Sequence, residues 1–214
     1  MSVSDARAEI SGRLLELGAA TLGESGAHRM PPRVHGVWPG ARLAAPAFPA
    51  SCTRGDNLAI HVAVTRAPAG SVLVVDIGDT HDFGYWGEVL TTAAETRGIL
   101  GLVIDGGVRD VAALEAHGFP VFATTVALTG ASKRAAGTAG VTTRVAGVSV
   151  APGDWVVGDA DGVVVVPAAA LDDVLAAAAA RSAKEAALFE ALRAGATTIE
   201  LLDLDPSHID GPAG

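Results

Sequence analysis

Hydrophobic residues follow a helical spacing near both ends of the chain and form short β-branched runs between them. The spacing predicts a helix over Val3–Gly23 and a long alanine-rich helix over Ala168–Arg193, with Gly195 as its stop. The stretch Gly26–Pro49 is rich in glycine and proline, so loops and short extended pieces are expected there. The tail, Asp203–Gly214, is acidic and contains proline and glycine, and we expect it to be loose.

The middle of the chain alternates apolar runs with helical patterns. Three runs, Ser71–Ile77, Leu100–Asp105 and Pro120–Thr124, are bounded by turn residues and predict buried strands. Helices are predicted between them over Trp86–Thr96 and Asp110–His117. This order is typical of βαβ crossovers, so the pattern by itself indicates an α/β protein with an open, Rossmann-like sheet.

Turn residues divide the remaining apolar segments. Asn57–Thr65 is expected to open a helix, and Gly106-Gly107 is expected to turn the chain after the second strand. Val141–Val150 predicts a further strand region. Trp155–Gly158 and Gly162–Val166 predict a hairpin, in which an Asp-Gly pair supplies the positive φ of the turn.

Composition narrows the functional class. The formal net charge is −9, which disfavours nucleic acid as a partner because phosphate binding needs clustered basic residues. The sequence has no run of 18 apolar residues, so no membrane span is expected. The N-terminus does not resemble a signal peptide, and the single cysteine, Cys52, cannot form an internal disulfide. Both features favour a cytoplasmic protein.

Two segments place charged residues where a strand gives way to a helix, which is where ligands bind in α/β proteins. Gly87–Leu90 opens one predicted helix, so its N–H groups can bind a carboxylate while Glu88 projects an acid. Glu88 can equally be a first-turn acid that stabilises its helix. Arg109 can grip a carboxylate bidentately, and Asp110 can hold a hard cation such as Mg²⁺. Asp110 can instead be the N-cap of the next helix, with Arg109 solvated.

Other chemistry has weaker support in the sequence. No G-x-G-x-x-G follows the strand that ends before Gly78, so the dinucleotide-binding fingerprint is absent. His61 and His81 have no second ligand at metal spacing, and packing is the expected role of each. The G-x-S-x-G signature is absent, and Cys52 has no base beside it in the sequence.

Short motifs recur in a specific order through the middle of the chain. They are Gly55-Asp56-Asn57-Leu58, Gly70–Asp76, Trp86–Leu90, Gly101–Asp110, Gly118–Phe122 and Gly153–Pro167. Together they resemble the RraA-like family, and more narrowly its 4-hydroxy-4-methyl-2-oxoglutarate aldolases. The resemblance covers Gly55 to Pro167 and weakens outside that range.

The resemblance implies a compact β/β/α fold of the swivelling-domain type in place of an open sheet. This α/β fold would be a single domain over residues 1–195, with an N-terminal helix and a long C-terminal helix, followed by a tail over residues 196–214. The resemblance also implies a homotrimer or homohexamer with sites between subunits. An acid from a neighbouring subunit is then expected to complete each site, and the choices are Glu185, Glu190 and Glu200.

The resemblance further implies roles for the charged residues. The family signature is an acid, twenty residues and then Arg-Asp, and Glu88 with Arg109 and Asp110 keeps that spacing. Arg109 would bind pyruvate, Asp110 would hold a divalent cation (Mg²⁺ or Mn²⁺), and Glu88 would act through a water. The backbone N–H groups that would share in pyruvate binding are those of Gly87, Glu88, Val89 and Leu90.

The implied reaction is cleavage of a carbon–carbon bond next to a 2-oxo acid, which releases pyruvate as an enolate. A lysine Schiff base or a Lewis-acid cation can absorb the developing charge. Lys133 lies in a Gly/Ala-rich connection and Lys184 in the long helix. Because neither is expected at a strand end, the metal route is favoured. Loss of CO₂ from oxaloacetate gives the same enolate, so we expect a lyase with aldolase and decarboxylase activity.

Two other functions stay open. One branch of the family regulates a ribonuclease by binding it, and its known regulator lacks the acid after the arginine. Asp110 and Glu88 therefore favour an enzyme. The other alternative is an aldolase-like enzyme that acts on a different 2-oxo acid.

Overall fold

The computed structural model describes residues 3–78 and 81–209, in which helices and strands alternate. The helices are α1 (Val3–Glu24), α2 (Leu58–Arg66), α3 (Glu88–Glu95), α4 (Val111–His117), α5 (Leu171–Arg193) and α6 (Thr198–Leu201), with 3₁₀ turns at Ala168–Ala170 and Pro206–His208. The strands are β1 (His28–Arg29), β2 (His35–Gly36), β3 (Leu43–Cys52), β4 (Val72–Asp76), β5 (Phe83–Trp86), β6 (Gly101–Val108), β7 (Val121–Val126), β8 (Thr129–Gly130), β9 (Gly137–Ala139), β10 (Thr143–Val145), β11 (Val148–Val150), β12 (Trp155–Asp159) and β13 (Gly162–Val166).

Parallel strands form the centre of the main sheet. β4 lies between β3 and β6, and β6 also pairs in parallel with β5 and β7. The helices α2, α3 and α4 are crossovers, because each lies in sequence between two parallel strands. Every residue of β6 is buried, as expected for a strand covered on both faces. The predicted α/β class is confirmed.

An antiparallel hairpin continues this sheet towards the terminal helices. β12 pairs with both β13 and β3, and β1 lies outside β13. Leu14 and Leu22 of α1 and Val174 of α5 pack in one cluster with Trp155 of β12. The chain therefore has the curled α/β arrangement with terminal helices that the resemblance implied, and the open Rossmann-like interpretation is wrong.

The long strand β3 corrects the expectation of loops and short pieces across residues 26–49. It contains Pro46 and Pro49, yet neither has to donate to a neighbouring strand. Pro46 precedes the first pair with β4. The N–H of Ala47 donates to the carbonyl oxygen of Asp154, on the β12 side of β3. Because every second residue of a strand directs its backbone nitrogen to the same side, the nitrogen of Pro49 also faces the β12 side. Pro49 lies there between the last pair with β12 and the first pair with β9.

Two predictions near the strand ends are also wrong. Trp86 belongs to β5, and the helix after it begins at Glu88. Gly106 and Gly107 lie inside β6 and do not turn the chain. A Cβ atom at Gly107 would lie 2.4 Å from the carbonyl oxygen of Phe83, so this glycine allows the backbones of β5 and β6 to approach closely.

The C-terminal half follows the sequence pattern more closely. The hairpin of β12 and β13 is confirmed. The predicted strand region Val141–Val150 is divided into β10 and β11, because Ala146 and Gly147 both have positive φ and reverse the chain. Gly195, at φ 101°, follows the end of α5. The division between residues 195 and 196 stays a prediction, and residues 210–214 of the tail lie outside the described range.

Candidate active site

Two strand ends bring the predicted site residues together. β5 and β6 run in parallel, with Trp86 opposite Val108, so the segments that follow them leave the same edge of the sheet. The N–H of Arg109 donates to the carbonyl oxygen of Trp86 at 2.9 Å, which fixes one segment against the other. The Arg109 Nε and Asp110 Oδ2 atoms lie 3.7 Å apart, and both side chains are about half-exposed.

Asp110 is aimed at the neighbouring helix rather than at its own. It precedes α4 in the left-handed conformation, at φ 59°, and its side chain makes no capping hydrogen bond to α4. Its Oδ2 atom accepts from the N–H of Glu88 at 3.1 Å, at the start of α3. A left-handed conformation costs a residue other than glycine about 1 kcal/mol or more, and such strain is typical of functional sites. The N-cap alternative for Asp110 therefore does not describe its side chain.

Two glycines make room for the charged pair. A Cβ atom at Gly87 would lie 2.3 Å from Asp110 Oδ2 and 3.1 Å from Arg109 Cγ. A Cβ atom at Gly84 would lie 2.4 Å from the carbonyl oxygen of Ala127 and 3.2 Å from Arg109 Cδ. A side chain at either position would displace the groups that carry the chemistry.

The charged pair opens into a cavity of about 270 Å³, a size suited to a small organic acid. Of the predicted site residues, those that line it are Gly87, Val89, Leu90, Arg109 and Asp110. A larger cavity of about 670 Å³ lies beside α1, where Arg7 is the charged lining residue and Ser11 donates to Ala44. Among the residues that the structure describes, none with a carboxylate or imidazole lines that cavity, so we place the chemistry in the smaller one.

Glu88 occupies a different position from the other predicted residues. Its side chain is exposed and is not part of the cavity lining. Its Oε1 atom lies 3.7 Å from Nε2 of His117, whose Nδ1 lies 2.8 Å from Oε2 of Glu95. The N–H of Glu88 donates to Asp110, and the first-turn N–H groups of Val89 and Leu90 have no partner within α3. The catalytic role of Glu88 stays a prediction.

The opposite wall contains residues that sequence reasoning missed. Asn57, His61 and Lys133 line the same cavity as Arg109 and Asp110. Lys133 lies in the connection between β8 and β9, as expected, but this connection places it in the cavity wall. Packing does not fully describe His61 either, because its side chain also lines the cavity. The four-residue spacing of Asn57 and His61 on one predicted helix was the available signal, since residues at that spacing share a face.

Asp56 holds this wall together. It is 2% exposed, and its Oδ2 atom accepts from Ser132 Oγ at 2.5 Å and from the N–H groups of Arg134 and Ala135. Its Oδ1 atom accepts from the N–H of Leu58 at 2.9 Å. Burial raises the pKa of Asp56, but these hydrogen bonds outweigh it and hold the pKa well below its ordinary value. The loop that contains Lys133 is thereby tied to the start of α2.

The burial of His61, together with the charge of Lys133, favours its neutral form. Burial lowers the pKa of its imidazole, and the positive charge of Lys133 lowers it further. Asp56 opposes this effect but does not outweigh it. The cavity therefore offers a neutral imidazole on one wall and a carboxylate with a guanidinium on the other.

Two carboxylates outside the cavity lining lie side by side in the sheet, where Asp76 at the end of β4 is opposite Asp105 of β6. Asp105 is 5% exposed, and both of its oxygens accept from the Arg33 guanidinium, at 3.0 and 2.8 Å. Thr124 donates to the same carboxylate at 3.0 Å. Burial raises the pKa of Asp105, but these partners outweigh it and lower the pKa. Asp76, opposite Asp105 in the sheet, has its pKa raised by burial.

The candidates for a neighbouring subunit's acid lie away from the cavity of their own chain. Glu185 pairs with Arg181 at 2.9 Å, and Glu190 pairs with Arg193 at 2.6 Å. Glu200 forms a capping box with Thr197 at the start of α6. Their role stays a prediction. In the described part of the chain, no helix is long and apolar enough to cross a membrane.

Comparisons with known proteins agree with this fold. The model of the RraA-like family, described as Aldolase/RraA, matches residues 2–165. A relative from Halalkalibacterium halodurans named "Putative 4-hydroxy-4-methyl-2-oxoglutarate aldolase" is 35% identical over 146 residues, 68% of this chain and 70% of the relative.

Solved structures also resemble the fold of this chain. An uncharacterized protein from Pseudomonas syringae matches with a TM-score of 0.79 and 28% identity, over 88% of this chain and 90% of that one. The RNA-processing inhibitor RraA from Thermus thermophilis matches with a TM-score of 0.60 and 27% identity, over 66% and 85%. Since the family model spans well over half of its length, the chain belongs to the RraA-like (Aldolase/RraA) family.

Proposed function

We propose that the protein is a divalent-metal-dependent lyase that cleaves 4-hydroxy-4-methyl-2-oxoglutarate or a related 4-hydroxy-2-oxo acid and releases pyruvate. Decarboxylation of oxaloacetate is proposed as a second activity through the same pyruvate enolate. The observation that carries the proposal is the convergence of Arg109, Asp110 and the start of α3 on one small cavity. The names of the curated relatives support the same reaction class.

The 2-oxo acid would be held by its carboxylate. The Arg109 guanidinium offers a planar set of donors that matches a carboxylate, and it lies beside the first turn of α3. The N–H groups of Val89 and Leu90 have no partner within that helix and add positive potential. A carboxylate held there would leave the rest of the substrate in the cavity that Asp110 also lines.

Asp110 is the residue that would hold the cation. In the described part of the chain, no three His, Cys, Asp or Glu side chains are grouped closely enough to hold a metal ion. Asp110 is a single, half-exposed carboxylate. Such a site suits Mg²⁺ or Mn²⁺, which keep waters and substrate oxygens as ligands, better than it suits a cation that needs several protein ligands. When bound, Mg²⁺ or Mn²⁺ supplies Lewis-acid stabilisation of the charge that develops on the ketone oxygen.

Lys133 makes a Schiff base the competing mechanism, because it lines the cavity. It is exposed, and its Nζ atom donates to the carbonyl oxygen of Ala131 at 3.3 Å. Schiff-base lysines are activated by burial or by a second cation at close range. The exposure of Lys133 therefore favours the metal-dependent route.

Pyruvate release separates the two mechanisms. We expect turnover with Mg²⁺ or Mn²⁺ that is lost on addition of EDTA and in Asp110→Asn. Treatment with borohydride and substrate should leave Lys133 unmodified. Turnover that persists in EDTA and in Asp110→Asn, together with a borohydride-trapped adduct on Lys133, would reject the metal mechanism.

A non-catalytic regulator that binds a ribonuclease is the second candidate, and the similarity to the RraA inhibitor structure favours it. Stoichiometric co-purification with a ribonuclease, combined with an absence of metal-dependent turnover on a panel of 2-oxo acids, would support this candidate. A panel in which a different 2-oxo acid is the preferred substrate would instead support a related enzyme.

We also propose that the protein assembles as a homotrimer or homohexamer. Apolar side chains are exposed at the end of α5 and beyond it, where they would pack against another copy: Phe189, Ile199, Leu202 and Leu204. Light scattering coupled to size exclusion measures the mass directly. A monomer at micromolar concentration would contradict this proposal and, with it, the expectation that an acid of a neighbouring subunit completes the site.

A further inference from the structure

Two residues of the cavity wall, the N-cap of α2 and a residue of its first turn, each have a buried polar atom without a protein partner in the described structure. The atoms are Oδ1 of Asn57 and Nε2 of His61, which lie one helical turn apart. Asn57 is 5% exposed, so its side chain is almost completely removed from bulk solvent. Buried polar atoms in native proteins are nearly always paired, and an unpaired pair of them in a cavity points to a ligand.

The hydrogen bonds around Asn57 fix what that ligand must offer. The Nδ2 atom of Asn57 donates to the carbonyl oxygen of Tyr85 at 2.8 Å, so Oδ1 is the amide atom that is left without a partner in this wall of the cavity. An amide oxygen accepts hydrogen bonds and does not donate them. A bound carboxylate cannot satisfy it, whereas a hydroxyl group can.

The neutral imidazole beside it is suited to accept a proton. Burial and the charge of Lys133 both lower the pKa of His61, so the free base is the form present near neutral pH. With Nδ1 protonated, Nε2 is a second acceptor in the same wall. The cavity then presents two acceptors opposite the carboxylate and guanidinium that would bind the pyruvyl half of the substrate.

We propose that this wall binds the C4 hydroxyl of a 4-hydroxy-2-oxo acid, and that His61 is the catalytic base that removes the hydroxyl proton. The inference rests on the proposed lyase function. Asn57 would be a positioning residue whose acceptor oxygen favours the imidazolium formed next to it.

The proton and electrons balance without another reactant. The proton moves from the C4 hydroxyl to His61 Nε2, and the C4–O bond becomes a carbonyl. The C3–C4 bond breaks, and its electron pair enters the pyruvate enolate. Return of the proton from His61 to C3 completes pyruvate and regenerates the free base.

Oxaloacetate provides the discriminating comparison, because its decarboxylation has no C4 hydroxyl proton to remove. We expect His61→Gln to lower kcat for aldol cleavage at least about 100-fold, which is the usual contribution of a general base. Decarboxylation by the same variant should fall by no more than about 3-fold. His61→Ala should recover part of its cleavage rate when imidazole is added, whereas a purely structural role would give no such rescue.

His28→Gln is the matched control, since His28 is exposed on the edge strand β1 and lies outside the cavity. It should leave both reactions at the wild-type rate. Equal losses of cleavage and decarboxylation in His61→Gln, or no loss of cleavage, would overturn the role of His61. If the wild-type protein releases pyruvate from neither substrate, the proposed lyase function itself fails.

Discussion

Gly87→Ala is the most direct test of the proposed site, because it perturbs Asp110 without replacing a charged residue. The backbone at Gly87 is extended, so alanine can adopt it without strain. The new Cβ atom would lie 2.3 Å from Asp110 Oδ2, whereas an ordinary contact begins near 3.4 Å. The carboxylate must therefore move by roughly 1 Å, and a displacement of that size in a catalytic group costs about 100-fold in rate.

The same displacement has a smaller effect on folding. Asp110 is 40% exposed and can move towards solvent, so the expected loss is the hydrogen bond to the N–H of Glu88, worth about 1 kcal/mol. The loss in rate corresponds to about 2.7 kcal/mol of transition-state stabilisation. The two effects are separable because the larger one falls on catalysis.

Three measurements test this reasoning. Electron paramagnetic resonance of free Mn²⁺ reports metal affinity, pyruvate release reports turnover, and circular dichroism reports Tm. Gly12→Ala is the control, since a Cβ atom there meets nothing within 4 Å and lies in α1, away from Asp110. A Gly87→Ala protein that binds Mn²⁺ and turns over at the wild-type rate would refute the assignment of Asp110.

Three further predictions concern the opposite wall and the core. Asp56→Asn should lower the free energy of unfolding by about 3 kcal/mol at pH 7, because charged acceptors are lost inside the protein. Because folding lowers the pKa of Asp56, this stabilisation is present above the ordinary carboxyl pKa and fades as pH falls, so urea unfolding of the two proteins should converge in acid. Lys133→Met should raise the pKa of His61, because the charge of Asp56 then acts on the imidazole without that of Lys133. The acid limb of the kcat/KM profile for cleavage should therefore move to higher pH. An unchanged limb would count against His61 as the base. Gly158→Ala should cost about 1–3 kcal/mol in denaturant titrations, because its Cβ would lie 2.7 Å from Cζ of the buried Phe122 ring; unchanged stability would contradict this packing.

Local patterns in the sequence were sufficient for much of the architecture. Alternation of β-branched runs with helical spacing predicted the parallel strands β4, β6 and β7 and the crossovers between them, because each pattern reflects burial of one short segment. The motif that ends in Arg109 and Asp110 was found at a strand end, where ligands bind in such folds. These features depend on neighbours within a few residues, which one sequence displays directly.

Other features depend on which distant segments meet, and the tertiary structure decided those. Proline is tolerated in β3 because the strand paired on one side changes from β12 to β9, and Pro49 lies between the two. Gly107 is needed because the backbone of β5 passes close to it. His61 and Lys133 share a cavity because Asp56 ties α2 to a loop far along the chain. Hydrophobic spacing does not specify which distant segments pair, since several segments of similar polarity could pack against the same apolar face. Packing and directional hydrogen bonds select the partner, and they exist once the chain has folded.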